Sequence, residues 1–246
     1  MNIETRLAAP GAEPPLSESA PVKLTVDDFR LLKQSGTFAG FSKAELLEGE
    51  LWGAPLQGQD GPGSDAVFPI QLRVRDYLLL DEAGGLNKYG NTELINGVIY
   101  SMSPQHAEHY TLKNRLYRRL ADACDALAQG LEAWSEGSID MSPHSVPLPD
   151  VFVTNETPRT GLTRLDTVVL AVEVASTTLR FDLGEKAKLY AAQRALEYWV
   201  VDLKGCLVHQ MWAPAPDGYA ERREVALGER VEAATVAGLA VETDGI

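Results

Sequence analysis

Three residues in the second half of the chain have the types and spacing that hydrolysis of a phosphodiester needs: Asp150, Glu173 and Lys186. Glu173 stands within the most apolar stretch, AVEVA, where an unpartnered carboxylate is costly, so a cation or metal ion is expected beside it. Asp150 follows Pro149 in PLPDVFV, directly before a predicted strand. If the two strands are neighbours, both carboxylates can bind one Mg²⁺ or Mn²⁺ ion. The ion would activate a water molecule, and the lysine would orient the nucleophile or stabilise the transition state.

The lysine belongs to the helix predicted after the apolar strand. Lys186 comes four residues after Asp182, the predicted helix cap, and one turn before Tyr190, an auxiliary candidate. From this position Lys186 can point back to the end of the sheet that carries the carboxylates. A structural arrangement fits the same spacing, with Glu173 and Lys186 as a buried ion pair and Asp150 as a turn residue. Spacing alone leaves both interpretations open.

A helix predicted over residues 103–127 carries further candidates. His109, near its start, could contact a phosphate or tune the site, although a histidine at a helix start is also common as a structural residue. Four basic residues follow on the same helix: Lys113, Arg115, Arg118 and Arg119. This run predicts either a phosphate-facing stripe or a solvated helix face, and the sequence does not decide between them.

A zinc hydrolase is a further alternative. His106, Glu108 and His109 form HAEH, which is neither HExxH nor HxxEH, and the other histidines, His144 and His209, lie far along the chain. The GxSxG pattern of α/β-hydrolases and the Walker phosphate loop are absent from the sequence. Carboxylate-based metal chemistry is therefore favoured.

The net charge of −13, from 35 acidic and 22 basic residues, repels nucleic acid, because phosphate binding depends on Lys and Arg. It does not exclude a local basic groove, or a site where metal ions offset clustered carboxylates. Two cysteines are too few for a disulfide scaffold. Because the start lacks the apolar core of a signal peptide and no apolar stretch approaches the ~20 residues of a membrane span, we expect a cytoplasmic protein without membrane contact.

The candidates need a sheet with helices packed against it, and the hydrophobic pattern predicts one. Strands are predicted near residues 131–136, 150–154, 168–175 and 197–203, a second helix over 183–194, and a closing hairpin over 207–213 and 219–225. The strand at 168–175 has β-branched residues on both faces, which is typical of a central strand. This order predicts a mixed α/β sandwich around a central sheet.

The chain also contains a local duplication. Residues 24–51 align without a gap to residues 72–99, at an offset of 48. Nine pairs are identical: Leu24/Leu72, Val26/Val74, Asp28/Asp76, Leu31/Leu79, Leu32/Leu80, Gly36/Gly84, Glu45/Glu93, Leu46/Leu94 and Gly49/Gly97. Each copy is predicted to form a short helix, a glycine-containing turn and a hairpin with Glu-Gly or Asn-Gly at its corner. Since Glu45 lies where no site is expected, its pairing with Glu93 favours a structural role for both.

The runs PDVFV and VVLAVEVASTTLRFDLGEKAKLYAAQRALEYWVVD closely resemble the Uma-two family, which is placed among the endonucleases of the PD-(D/E)XK nuclease superfamily. The stretch TELINGVIYSMSPQHAEHYTLKNRL is similar to that family's hairpin, Ser-Pro segment and helix-start histidine. The resemblance covers residues 72–202. It implies a PD-(D/E)XK core of α+β class, with a central mixed sheet flanked by helices, and metal-dependent cleavage of DNA.

The resemblance also implies residue roles. Asp150 matches the PD aspartate and Glu173 the (D/E) carboxylate, both expected to bind Mg²⁺ or Mn²⁺. The superfamily lysine would stand at Ala175; in the Uma-two family it lies instead on the following helix, which matches Lys186 in DLGEK. His109 matches the helix-start histidine.

These observations predict four parts: a disordered tail (1–22), the first copy of the duplicated unit (23–52), a linker (53–66) and a PD-(D/E)XK nuclease-like domain (67–246). The expected function is an endonuclease acting on DNA. The alternative is a non-catalytic binding or regulatory module on the same fold, which the acidic charge favours. The first copy could also serve homodimerisation, by pairing with or covering a sheet edge.

Overall fold

The computed structural model describes residues 19–56, 66–102 and 107–246. In chain order the strands are β1 (Ala20–Pro21), β2 (Phe41–Leu47), β3 (Glu50–Pro55), β4 (Phe68–Pro69), β5 (Thr92–Ile95), β6 (Val98–Ser101), β7 (Glu132–Ser135), β8 (Ile139–Asp140), β9 (Val151–Thr154), β10 (Thr163–Arg164), β11 (Val168–Ala175), β12 (Glu197–Asp202), β13 (Leu207–Ala215), β14 (Gly218–Ala226), β15 (Arg230–Glu232) and β16 (Ala240–Glu242).

The helices are α1 (Val26–Gln34), α2 (Val74–Glu82), α3 (Ala107–Leu127), α4 (Leu179–Phe181) and α5 (Ala187–Ala192). A π-helical turn, Asp182–Lys186, joins α4 to α5, and short 3₁₀ turns occur at Asn87–Tyr89 and Leu165–Thr167. No helix in the described ranges is long and apolar enough to cross a membrane.

Six strands form a mixed sheet at the centre, in the spatial order β14, β13, β12, β11, β9, β7. β11 and β12 are parallel, and the other neighbours are antiparallel. The segment from α4 to α5 connects the parallel pair, as a crossover between parallel strands requires. α3 packs against one face of the sheet and α5 against the other. The predicted α+β class, with a central mixed sheet flanked by helices, is confirmed.

The central strand β11 is buried on both faces, which explains its apolar sequence. Val172 and Val174 pack on the side of α3, whereas Ala171 and Ala175 pack on the side of α5. Because side chains alternate along a strand, Glu173 lies on the α5 side. The apolar pattern of β11 therefore directs one carboxylate towards the helix that carries the predicted lysine.

The helix that follows β11 begins earlier than predicted. It starts at Leu179 rather than at residue 183, and Asp182 is inside it, with helical φ and ψ of −67° and −44°. The hydroxyl of Thr178 donates to the Asp182 carboxylate, so the residue that precedes the helix is four positions upstream of the predicted cap. The predicted role of Asp182 as the helix cap was wrong, because its carboxylate points into the protein.

The N-terminal boundaries also need correction. Ala20–Pro21 form a strand and Val22 is buried, so the fold begins before residue 23; residues 1–18 lie outside the described ranges. The linker was predicted to begin at residue 53, but β3 continues to Pro55, and only residues 57–65 of that segment lie outside the described ranges. In both places the chain pairs with a hairpin strand: Ala20–Pro21 with β6, and Ala54 and Pro55 with β2.

The duplicated segments fold alike, and we call residues 20–53 the first unit and residues 68–101 the second unit. α1 and α2 both have nine residues, offset by 48 positions. The corner residues Glu48 and Asn96 have φ of 50° and 49°, as a tight hairpin turn with left-handed residues requires. The surroundings differ, because β2 is the outer strand of its sheet whereas Leu94 of β5 exchanges backbone hydrogen bonds with Val146.

Candidate active site

Asp150 directly precedes β9, and Glu173 lies on the neighbouring strand β11. Val151 of β9 pairs with Val172 of β11 in antiparallel register, so the next opposed positions are 150 and 173. The backbone N–H of Val174 donates to Oδ2 of Asp150 at 2.8 Å, which holds this carboxylate against β11. Asp150 is only 4% exposed and Glu173 only 3%, so the two charges are poorly screened by water.

Lys186 reaches this end of the sheet from the π-helical turn. Its Nζ lies 3.0 Å from Oε1 of Glu173 and 3.9 Å from Oδ1 of Asp182. The position two residues after Glu173, where the superfamily pattern has its lysine, is Ala175, which packs in the same apolar cluster as Ala187. The structure therefore brings the predicted lysine to the predicted carboxylate from the following helix. π-helical turns are rare and frequently occur at functional sites.

Glu93 contacts the same lysine, although its pairing with Glu45 in the duplicated sequence favours a structural role for it. Its Oε2 lies 3.0 Å from Nζ of Lys186 and accepts a hydrogen bond from the backbone N–H of Leu148 at 3.3 Å. Its Oε1 is buried and has no hydrogen-bond partner among the described residues. The duplicate Glu45, in contrast, has a side chain that is 37% exposed and pairs with Lys43. The available signal was an acidic residue in an apolar strand, the same signal that identified Glu173.

Two residues of α3 contact Asp150 from the other side. Nε2 of His109 lies 3.3 Å from Oδ2 of Asp150, and Nζ of Lys113 lies 3.9 Å from Oδ1. Lys113 also forms an ion pair with Glu136. Burial lowers the pKa of His109, but the hydrogen bond to Asp150, its charge and the carbonyl of Val174 outweigh burial and raise the pKa above its ordinary value. Asp150 is therefore held between β11 and two basic side chains.

The four basic residues on α3 do not form one stripe. Lys113 is buried near Asp150, whereas Arg115 and Arg119 lie one turn apart on a different face and Arg118 is exposed. Arg115 and Arg119 donate to backbone carbonyls of the C-terminal segment, at Gly245, Glu242 and Asp244. These arginines tie the C-terminal segment to α3.

The histidines of the zinc alternative lie apart. Nδ1 of His144 is 2.8 Å from the carbonyl of Leu72, and His209 pairs with Glu224 on the β13–β14 hairpin. His106 lies outside the described ranges. The described histidines thus contact different parts of the chain.

Tyr190 is fully buried on α5, with its ring stacked on Tyr198 at a centroid distance of 4.5 Å. Its hydroxyl has no hydrogen-bond partner within the described ranges. Burial and the charge of Glu173 raise the pKa of Tyr190 well above its ordinary value. The hydroxyl therefore stays neutral beside the charged pocket.

One lysine faces three carboxylates in this pocket, which leaves an excess of negative charge. Burial raises the pKa of Glu173 well above its ordinary value, although the charge of Lys186 opposes the rise. Burial raises the pKa of Asp182 to about 6, again against the effect of Lys186. Burial lowers the pKa of Lys186, but the carboxylates outweigh it and raise that pKa well above its ordinary value. The lysine stays charged, and the pocket can accept a proton or a further cation.

The donor atoms fit a hard divalent cation. Asp150 and Glu173 offer carboxylate oxygens from opposed positions, and Oε1 of Glu93 is buried without a partner among the described residues. Magnesium is commonly bound through one or two carboxylates, with water and substrate phosphate completing its coordination. Across the described ranges, no group of three or more His, Cys, Asp or Glu side chains is arranged to hold a metal ion by itself. A cation here would thus share its coordination with water or substrate.

Comparison with known proteins gives a match to one family model. The Uma2 model, described as "Putative restriction endonuclease", matches residues 74–243, more than half of the chain. A solved structure from Anabaena variabilis ATCC 29413, described as a "putative nuclease belonging to DUF820", is 16% identical with a TM-score of 0.48, over 58% of this chain and 80% of that chain. The comparison with curated protein sequences found no match.

Proposed function

Because the chain belongs to the Uma2 family, we propose that it is a metal-dependent endonuclease that hydrolyses phosphodiester bonds of DNA. One observation carries the proposal: Asp150 and Glu173 occupy opposed positions at one end of a buried sheet, and Lys186 lies 3.0 Å from Glu173. The excess of carboxylates over lysine in this pocket supports the binding of a cation there.

In this proposal Asp150 and Glu173 hold Mg²⁺ or Mn²⁺. Such an ion, when bound, supplies Lewis acidity and a water molecule of lowered pKa. The backbone N–H of Val174 keeps one oxygen of Asp150 fixed, so the carboxylate needs little reorganisation to bind. His109 and Lys113 approach the same carboxylate and orient it.

Lys186 acts as the cationic residue of the site. Its charge is secured by the carboxylates around it, so it can donate hydrogen bonds to the attacking water or to a phosphate oxygen. Glu93 and Asp182 hold the ammonium group of Lys186 at the end of the sheet while Glu173 binds the metal ion. Tyr190 offers a neutral hydroxyl on the same helix.

The direct test is cleavage of supercoiled and single-stranded DNA in Mn²⁺ by the wild type, Glu173→Ala and the control Glu45→Ala. Glu45 is an acidic residue on the exposed hairpin of the first unit, so its removal changes the net charge equally without touching the site. Nicking by the wild type and the control, but not by Glu173→Ala, is the expected result.

Metal binding is tested separately by thermal unfolding with and without Mn²⁺. An ion that binds only the folded state raises the midpoint in proportion to its occupancy. We expect Mn²⁺ to raise the midpoint of thermal unfolding of the wild type but not that of Glu173→Ala. A protein that neither cuts DNA nor responds to Mn²⁺ would instead be a non-catalytic module in which the carboxylates only pair with Lys186.

A further inference from the structure

The first and second units exchange their leading strands. β1, which opens the first unit, pairs with β6 of the second unit, with Ala20 opposite Ser101 and Pro21 opposite Tyr100. β4, which opens the second unit, pairs with β3 of the first unit, with Phe68 opposite Gly53 and Pro69 opposite Trp52. Adding 48 to the first-unit residue of one pairing, and subtracting 48 from its second-unit partner, gives the positions of the other pairing. The two units are thus related by a local twofold arrangement.

The same relation holds for the neighbouring hydrogen bonds. The N–H of Val22 donates to the carbonyl of Ile99 at 2.8 Å, and the N–H of Ile70 donates to the carbonyl of Leu51 at 2.9 Å. Equivalent residues of both units also line a cavity of about 300 Å³ between them, including Pro21 with Pro69, Leu24 with Leu72 and Gly49 with Gly97. Each unit therefore offers the other an equivalent surface, which is the property of an isologous interface.

The helices continue this interface. α1 packs against α2, and the equivalent residues Leu32 and Leu80 are fully buried in one apolar cluster formed by both units. At one position where the two sequences differ, the second unit leaves room for its own copy. Gly85 stands where the first unit has Thr37, and a Cβ atom there would come within 2.5 Å of Oδ1 of Asp28. Asp28 is equivalent to Asp76, so a second copy would place Asp76 against the same glycine.

We infer that the surface of the second unit beneath the first unit is a homotypic pairing surface, whose partner is another copy of this same unit. In the intact chain the first unit fills it, so the wild type is a monomer at this surface. When the first unit is displaced, the second units of two chains pair about a true twofold axis, and Phe68–Pro69 of each lies against Tyr100 and Ser101 of the other. This inference does not depend on the proposed nuclease activity.

The test compares two full-length variants by analytical ultracentrifugation. Leu32→Asp changes a residue of the first unit and leaves every residue of the pairing surface as it is, whereas Leu80→Asp makes the same change at the equivalent position of the pairing surface itself. We expect Leu32→Asp to sediment at twice the mass of the wild type at micromolar concentration, and Leu80→Asp to remain monomeric. A folded, monomeric Leu32→Asp, or dimers of both variants, would overturn the inference.

A second measurement covers the case in which Leu32→Asp does not fold. A protease site is placed between residues 57 and 65 of the otherwise unchanged chain, which is folded, cut and then diluted. The larger, C-terminal fragment should form dimers as the smaller, N-terminal fragment dissociates. Adding the smaller fragment again should restore the one-to-one complex of the two fragments. A larger fragment that stays monomeric after the smaller fragment has left would refute homotypic pairing.

Discussion

Glu93 and Lys186 form a buried ion pair, with Oε2 and Nζ 3.0 Å apart, and it joins the second unit to the central sheet domain. Glu93 is on β5 of the helix–hairpin unit, whereas Lys186 belongs to the crossover between the two parallel strands. The position of the lysine therefore depends on the docking of a hairpin as well as on its own helix.

We expect Glu93→Gln to reduce DNA cleavage by about 10- to 100-fold, the usual effect of removing a residue that orients a metal-site group. Glutamine keeps the shape and can still accept from the Leu148 N–H, but it no longer attracts the ammonium of Lys186. Cleavage and the Mn²⁺-induced rise in melting temperature should be measured together. The control Glu45→Gln changes the equivalent residue of the first unit; equal activity of both variants would remove Glu93 from the site.

Replacing Lys186 by Met should destabilise the protein by about 3–5 kcal/mol at pH 8, because carboxylates remain buried without their cation. The loss should be smaller at pH 5, where the carboxylates can take up protons. Urea unfolding at both pH values measures the difference. Lys188→Met, an exposed lysine two residues later, is the control and should have little effect. A loss for Lys186→Met that is independent of pH would contradict this electrostatic explanation.

Asp182 should make the folded state less stable as the pH rises. Burial raises its pKa from 3.8 to about 6, so the folded protein binds this proton more tightly than the unfolded chain does. The resulting stability is present at pH values below the ordinary pKa and is lost as the pH rises through 6. Asp182→Asn stays neutral, so its free energy of unfolding should fall less between pH 4.5 and 7.

The same pH series on Asp27→Asn supplies the control, since Asp27 has a side chain that is 89% exposed on α1. His109, whose pKa is also raised, titrates in the same direction and remains in both variants. A pH slope for Asp182→Asn equal to that of the wild type would mean that Asp182 is not protonated on folding.

The hairpin corner of the first unit should become more stable when it carries the residue that the second unit has at the equivalent position. Glu48 has φ of 50°, a left-handed conformation that asparagine adopts more readily than glutamate. Glu48→Asn should therefore stabilise the chain, by up to about 1 kcal/mol. Asn96→Glu, the reverse change at the equivalent corner, should destabilise it by a similar amount. Thermal unfolding of both variants measures this, and shifts of the same sign would contradict the explanation.

Local patterns predicted the sheet and three residues of the candidate site, because these depend on short stretches of sequence. The apolar run around Glu173 predicted a buried strand, and the predicted bounds of that strand, residues 168–175, agree with β11. Asp150 was identified because it directly precedes a predicted strand, and Lys186 because it belongs to the helix predicted after the apolar strand. Such features are encoded by the alternation of apolar and polar residues and by turn-forming residues, both of which can be identified in a single sequence.

The remaining features depend on contacts that sequence does not display. Glu93 and Glu45 have equivalent local sequences, but only β5 is held against the central domain, through Leu94 and Val146. Asp182 resembles a helix cap until Thr178 is seen to precede the helix and donate to its carboxylate. In both cases tertiary packing decides between local alternatives of similar quality.

The outer position of β2 leaves a line of backbone donors and acceptors that another chain could extend. Exposed sheet edges are templates for aggregation, and charged side chains along them oppose it. β2 carries Lys43 and Glu45, whose side chains pair at 2.8 Å and are 62% and 37% exposed. These two charges oppose edge-to-edge association. The variant in which Lys43 and Glu45 are both replaced by valine should therefore precipitate on concentration while its fold stays unchanged.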